Sequence, residues 1–277
     1  MAYALVTGAA KGIGRSIARE LAVRRYDLLL IDIAETELER NADEFREEFG
    51  VLVHTLIVDL SIPGVIRTIT AWQREKGPEL EVVVNNAGFG LNGSFLSIPI
   101  QEQMDILNVN VKALVELSYA FVPVLEQRPV GYLLNVCSTT AYQTVPYVTM
   151  YAASKAFVLS FTRGLRHELR RSNVRVTMLS PGSTDTDFVN RARMGESIKR
   201  TAARVNMTPE AVARIAVSGL FRGKAEIIPG LLNQFGAFLP RIIPMRWIEH
   251  VAGRIYEPKT GSSGTTQKAE KKILASI

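Results

Sequence analysis

Short, almost wholly apolar runs alternate along this chain with longer stretches in which apolar residues recur every three or four positions. The runs are residues 2–7, 27–33, 51–58, 81–85, 130–136 and 174–179. Their near-continuous apolar character is that of strands buried on both faces. The helical periods lie between them. Ile13, Ile17, Ala18, Leu21 and Ala22 follow the first run, and Leu38, Ala42 and Phe45 mark one side of the acidic stretch 35–49. A helix over 63–75 begins with Pro63 in its first turn, where a missing amide costs little. Met104, Leu107, Val111, Leu114 and Leu117 lie inside 100–126, and a further helix runs through Phe157 and Leu165 to a basic end at Arg170 and Arg171. Helices over 187–205 and 208–221 and a seventh strand over 224–228 complete the pattern. Strand and helix in such alternation, joined by short links, predict an α/β domain whose parallel sheet is wound on both faces.

A chain of 277 residues, 47% apolar and 22% charged, can bury one sizeable core. Its single cysteine, Cys137, excludes an internal disulfide, and His54, His167 and His250 stand too far apart to form a ligand motif, so no metal site is expected. The start runs directly into a strand pattern, and no apolar stretch reaches spanning length, which gives a cytoplasmic expectation. The net charge of +6 is uneven: 18 Lys and Arg face 21 Asp and Glu through Phe188, against 15 and 6 afterwards. The basic excess is scattered among apolar residues, and no nucleic-acid partner is expected. A surface near anionic lipid or an acidic substrate fits it better.

Two stretches carry chemistry. Thr7-Gly8-Ala9-Ala10-Lys11-Gly12-Ile13-Gly14 joins the first strand to the first helix, an arrangement that lets a diphosphate approach bare backbone at helix N-terminal amides. Asp32 closes the second strand eighteen residues after Gly14, where an acidic side chain reaches ribose hydroxyls; it is equally placed to cap the following helix. The second stretch leaves the fifth strand at Cys137-Ser138 and enters a helix with Tyr151 and Lys155 four apart, on one face. An ammonium beside a tyrosine favours the phenolate and draws a pKa of about 10 toward acid/base work, and Ser138 is placed to donate to a substrate oxygen. Asn110 is a poor helix former inside a helix, and its plain reading is a buried hydrogen-bonding amide.

Taken in order, these motifs, with Asp59, Asn86-Ala87-Gly88 and Pro181-Gly182 through Thr186, resemble the short-chain dehydrogenase/reductase family. The resemblance covers about residues 2–229, including the thirteen-residue step from Ser138 to Tyr151. It implies a single Rossmann-like domain with a seven-stranded parallel sheet of order 3-2-1-4-5-6-7. Hydride would pass between a nicotinamide cofactor and a ketone or secondary alcohol, with Tyr151 as general acid/base. By the same resemblance Lys155 would lower the tyrosine pKa and hold the nicotinamide ribose. Ser138 would polarise the carbonyl, and Asn110 would hold a water linking Lys155 to solvent. Gly8, Gly12, Ile13 and Gly14 would line the diphosphate, with Asp32, Asp59, Leu60, Asn86, Ala87 and Gly88 on the adenosine side and Lys11 where a base would contact a 2′-phosphate. Pro181, Gly182, Thr184 and Thr186 would reach the nicotinamide end. Asp32 would repel a 2′-phosphate and favours NAD; Lys11 is the residue that would favour NADP instead. A dinucleotide-binding sensor without turnover is the alternative, though the Asn110, Ser138, Tyr151, Lys155 set is complete. A lyase or epimerase on this scaffold would need a larger substrate domain. The resemblance also implies a homodimer or homotetramer.

Beyond residue 229 the chain departs from the minimal family pattern. Residues 230–256 are rich in Leu, Ile, Phe and Trp, with Arg241, Arg246 and Arg254 among them, and 257–277 read as a polar tail. A helical cover on the domain or on a partner subunit is one reading of 230–256, and a peripheral membrane contact is the other. Similar extensions occur in relatives that reduce long-chain or steroid ketones, which implies an apolar substrate.

Overall fold

The computed structural model describes residues 1–184, 192 and 207–258. The predicted helix over 187–205 and most of the predicted tail lie outside the described residues. Seven parallel strands form one sheet: β1 (Tyr3–Thr7), β2 (Asp27–Asp32), β3 (Val53–Ile57), β4 (Leu80–Asn85), β5 (Gly131–Val136), β6 (Val174–Leu179) and β7 (Glu226–Ile227). Their order is β3-β2-β1-β4-β5-β6-β7, the predicted one, with the reversal between β1 and β4. The reversal opens a crevice at the C-terminal strand ends, the usual ligand position in such sheets.

Alternation along each strand splits the core in two. Ala4, Val6, Leu28, Leu30, Val82 and Val84 face Ile17 and Leu21 of α1 (Gly12–Val23), Leu38 and Phe45 of α2 (Glu35–Phe49), and Val217 and Leu220 of α7 (Pro209–Phe221). Leu5, Leu29, Ile31 and Val83 face the other way, onto Ile69 of α3 (Val65–Lys76) and Leu117 and Phe121 of α5 (Leu114–Leu125). Both faces are buried, which is why β2 is apolar from Leu28 to Ile31 without a break. Each fully buried Leu or Phe contributes about 1.5–3 kcal/mol, and Phe121→Ala would cost about 3–5 kcal/mol.

Several boundaries differ from expectation for local reasons. Helix α3 starts at Val65 because Gly64 precedes it in a left-handed conformation (φ 81°), so Pro63 lies outside its first turn. Strand β7 is only two residues long. The predicted helix over 100–126 is α4 (Ile100–Leu107), a π-helical turn at Asn108–Ala113, and α5. That wider turn holds Asn110. Helix α6 (Thr149–Glu168) follows β5, and α7 is capped by Thr208, whose hydroxyl accepts from Ala211 N at 3.2 Å. The C-terminal extension folds as α8 (Leu231–Phe238) and α9 (Met245–Tyr256).

Candidate active site

The glycine turn is held open by packing that leaves no room for side chains. Gly8 and Gly12 take left-handed φ values of 67° and 56°. A Cβ on Gly14 would overlap the Gly8 carbonyl oxygen and the Asn86 amide. Asn86 Nδ2 donates to Thr7 O (2.9 Å) and Gly8 O (3.0 Å), so this side chain clamps the turn. Asn41, a residue that sequence reasoning passed over, clamps it from α2 by donating to Ala10 O at 2.8 Å. Its only sequence signal is a polar residue on the buried side of an amphipathic helix.

Asp32 does not cap α2; Ala34 holds that position, without a side-chain cap bond. The Asp32 carboxylate accepts instead from Ala10 N (2.9 Å), Ile33 N (2.8 Å) and Ala34 N (3.0 Å), which ties the end of β2 to the glycine turn. Lys11 is paired with Glu37 at 2.8 Å, so its charge is already compensated. Asp59 accepts from Ser61 N at 2.8 Å and, with Leu60, closes the adjoining wall.

The candidate catalytic group, Ser138, Tyr151 and Lys155, is built at the β5 end and the start of α6. Ser138 Oγ accepts from Thr140 N at 3.2 Å, leaving its hydroxyl proton free to point elsewhere, and it is hydrogen-bonded with the Tyr151 hydroxyl. Tyr151, Lys155 and Ser138 are each more than nine-tenths buried. Burial pushes the Tyr151 hydroxyl well above its ordinary value near 10, and the Ser138 bond draws it back only in part. Burial is therefore the larger influence on Tyr151, and Lys155 is not among the groups that shift it here. Burial pulls the Lys155 ammonium down, its Nζ donates to Val136 O at 2.9 Å, and it stands 5.8 Å from the Tyr151 ring centroid. The lysine's position is fixed by backbone, and desolvation dominates both groups.

Asn110 lies behind these residues. It accepts from Phe89 N (3.0 Å) and donates to Phe89 O (2.9 Å) and Ser154 Oγ (3.0 Å), fastening the loop after β4 to α6. Gly88 passes between Asn110 and Lys155, where a Cβ would sit 3.0 Å from Asn110 Oδ1 and 3.3 Å from Lys155 Nζ. At Gly90 a Cβ would press on the Tyr151 ring at 2.8 Å.

One cleft of about 1220 Å³ joins these groups. Gly8, Lys11, Gly12, Ile13, Gly14, Asp32, Asp59, Leu60, Asn86, Ala87 and Gly88 line one part, and Ser138, Tyr151, Lys155, Pro181, Gly182 and Thr184 line the middle. Asn110 stands behind the wall, and Thr186 lies outside the described residues. The volume exceeds the usual range of about 300–1,000 Å³ for a small-molecule pocket, leaving room for a dinucleotide and a substrate together. The bare glycine cradle and the carboxylate at the end of β2 suit such a group.

The far wall is the C-terminal extension, one reading of which is a helical cover on the domain. Asn233 of α8 lies flat on Gly182, where any Cβ would overlap it, and Trp247, Ile248, Val251 and Tyr256 of α9 line the same cleft. The apolar content of 230–256 marks the extension, but not which of its residues reach the cleft, because that depends on how it docks.

A family model described as short chain dehydrogenase matches residues 2–197. An uncharacterized oxidoreductase of Staphylococcus saprophyticus subsp. saprophyticus is 30% identical over 217 residues, covering 78% of this chain and 90% of its own. The very-long-chain 3-oxoacyl-CoA reductase of Rattus norvegicus is 28% identical over 251 residues, 89% of this chain and 78% of its own. A solved short-chain dehydrogenase from Sphingobium yanoikuyae, in complex with NADPH, aligns with TM-score 0.77 and 26% identity over 95% of this chain and 99% of its own.

Proposed function

This chain belongs to the short-chain dehydrogenase family, and we propose that it transfers a hydride between a nicotinamide cofactor and an apolar ketone or secondary alcohol, with Tyr151 as general acid/base. The observation that carries this reading is the Ser138–Tyr151–Lys155 cluster buried in a cleft that continues to the glycine turn. The cofactor, when bound, supplies or takes the hydride. The substrate oxygen then needs a proton partner within reach. A phenol kept protonated by burial is in the state a ketone reduction requires, and Ser138, already bonded to it, polarises the carbonyl. Lys155 holds the nicotinamide ribose, and Asn110 keeps the loop after β4 in place behind it.

We place NAD first and NADP as the alternative. Asp32 faces the cleft with a carboxylate, while the cation that would welcome a 2′-phosphate, Lys11, is occupied by Glu37. The S. yanoikuyae relative holds NADPH, which keeps the alternative in play. An apolar substrate is supported by Trp247, Ile248 and Val251 on the far wall, and by the long-chain substrate named for the rat relative.

The outer side of the extension supports a peripheral membrane contact: Leu231, Leu232 and Phe235 are 82%, 74% and 64% exposed. No helix among the described residues is long and apolar enough to cross a membrane. Tyr119 of α5 and Phe157 of α6 are also exposed and suit pairing with a second copy; light scattering giving a monomer mass would sink that assembly.

The decisive experiment for the function is turnover of apolar ketones with NADH or NADPH by the wild type and by Tyr151→Phe. We expect kcat to fall about 10²–10⁴-fold with cofactor affinity unchanged. Equal rates in the two proteins would remove Tyr151 from the chemistry.

A further inference from the structure

The loop after β4 and the end of α9 are tied together beside the reactive tyrosine. Asn92 Nδ2 donates to Tyr256 O at 2.9 Å and to Tyr147 O at 3.3 Å, and Asn92 N donates to Ala192 O at 2.8 Å. Through its side chain and its backbone amide, Asn92 thus joins its loop to three segments that are distant in sequence. Tyr147 takes a left-handed φ of 63°, uncommon for a bulky residue, and its carbonyl also accepts from Gly93 N at 2.8 Å. This latch sets the Tyr256 ring against Val145, Val148, Tyr151 and Ala152, on the wall of the cleft.

The Tyr256 hydroxyl receives no hydrogen bond from the described residues and donates none to them. It is close enough to Tyr151 to raise that residue's pKa, and burial raises its own, so it stays a proton donor. Its neighbours on α9 along the cleft are apolar: Trp247, Ile248, Val251 and Ile255. A donor in such a wall, once water is displaced, is left unsatisfied unless a ligand supplies an acceptor.

We infer that Tyr256 is a specificity-determining residue, whose phenol donates a hydrogen bond to a second oxygen on the substrate while Tyr151 serves the reacting one. The substrate class is then an apolar ketone or alcohol with an acceptor oxygen a bond or two from the reacting carbon. This rests on the dehydrogenase reading above and adds to it a recognition residue from the C-terminal extension, positioned by Asn92.

The test uses the full chain and needs no turnover. Binding of NAD+ and NADP+ is measured first by calorimetry. With the better one saturating, 1-phenylpropane-1,2-dione and propiophenone are titrated separately; an oxidised cofactor and a ketone cannot react. The wild type should bind the dione about tenfold more tightly than the monoketone, the scale of one retained hydrogen bond. Tyr256→Phe, which keeps the ring and its packing, should abolish that preference while leaving cofactor and propiophenone affinities unchanged. A wild type with no preference, a preference that survives in Tyr256→Phe, or an equal loss for both ketones would overturn the inference and leave the dehydrogenase reading standing. Failure of both nucleotides to bind the wild type, seen before any ketone is added, would overturn the dehydrogenase reading itself.

Discussion

The two walls of the cleft are made in different ways. On the glycine-turn side the shape is set by backbone: Gly8, Gly14 and Asn86 touch so closely that no Cβ fits, and Asp32 and Asn41 hold the turn by bonds to main-chain atoms. On the other side the shape is set by side chains of α8 and α9, whose outward residues Leu231, Leu232 and Phe235 lie largely in solvent. A wall made of backbone tolerates almost no change, while one made of side chains can be retuned without disturbing the fold. On the proposed function, this separates a fixed cofactor cradle from an adjustable substrate end.

The sharpest way to test that contrast is a pair of glycines. Gly14→Ala would drive a Cβ into the Gly8 carbonyl and should cost about 1–3 kcal/mol, with loss of dinucleotide binding. Gly236→Ala, inside α8 with nothing within 4 Å of the added carbon, should instead stabilise by about 0.5–1 kcal/mol through helix propensity. Thermal unfolding of the two variants decides it, and shifts of the same sign would break the comparison. A smaller effect is expected from Leu231→Glu with Leu232→Glu. Vesicle flotation with anionic lipid should weaken severalfold while stability stays within about 0.5 kcal/mol, as for exposed sites generally. Flotation unchanged by both substitutions would remove the membrane contact from the outer side of the extension.

Much of the backbone-built wall was legible in the sequence. Continuous apolar runs announce strands covered on both faces, and Thr7-Gly8 through Gly14 announces a tight strand-to-helix turn, since both signals are local. Non-local facts were not legible. The π-helical turn at Asn108–Ala113 accompanies bonds from Asn110 to Phe89 and Ser154, partners 21 and 44 residues away. Asp32 reads as a ribose-binding carboxylate or a helix cap, and neither reading shows its bond from Ala10 N at 2.9 Å, which only the fold makes. The Tyr151–Lys155 spacing carries no information about burial, which is the largest influence on both groups. Tyr256 has no motif at all; its place on the cleft wall comes from packing and from Asn92, 164 positions earlier, which donates to its carbonyl.

The most direct test of the account is a fluorescence titration of the wild type and Asp32→Ala with NADH and, separately, NADPH. The account predicts that the wild type binds NADH more tightly, and that removing the carboxylate beside the glycine turn shifts preference toward NADPH. Wild-type preference for NADPH would reverse the cofactor assignment alone. Binding of neither nucleotide would contradict the account at its centre, because the backbone cradle would then have no dinucleotide to hold.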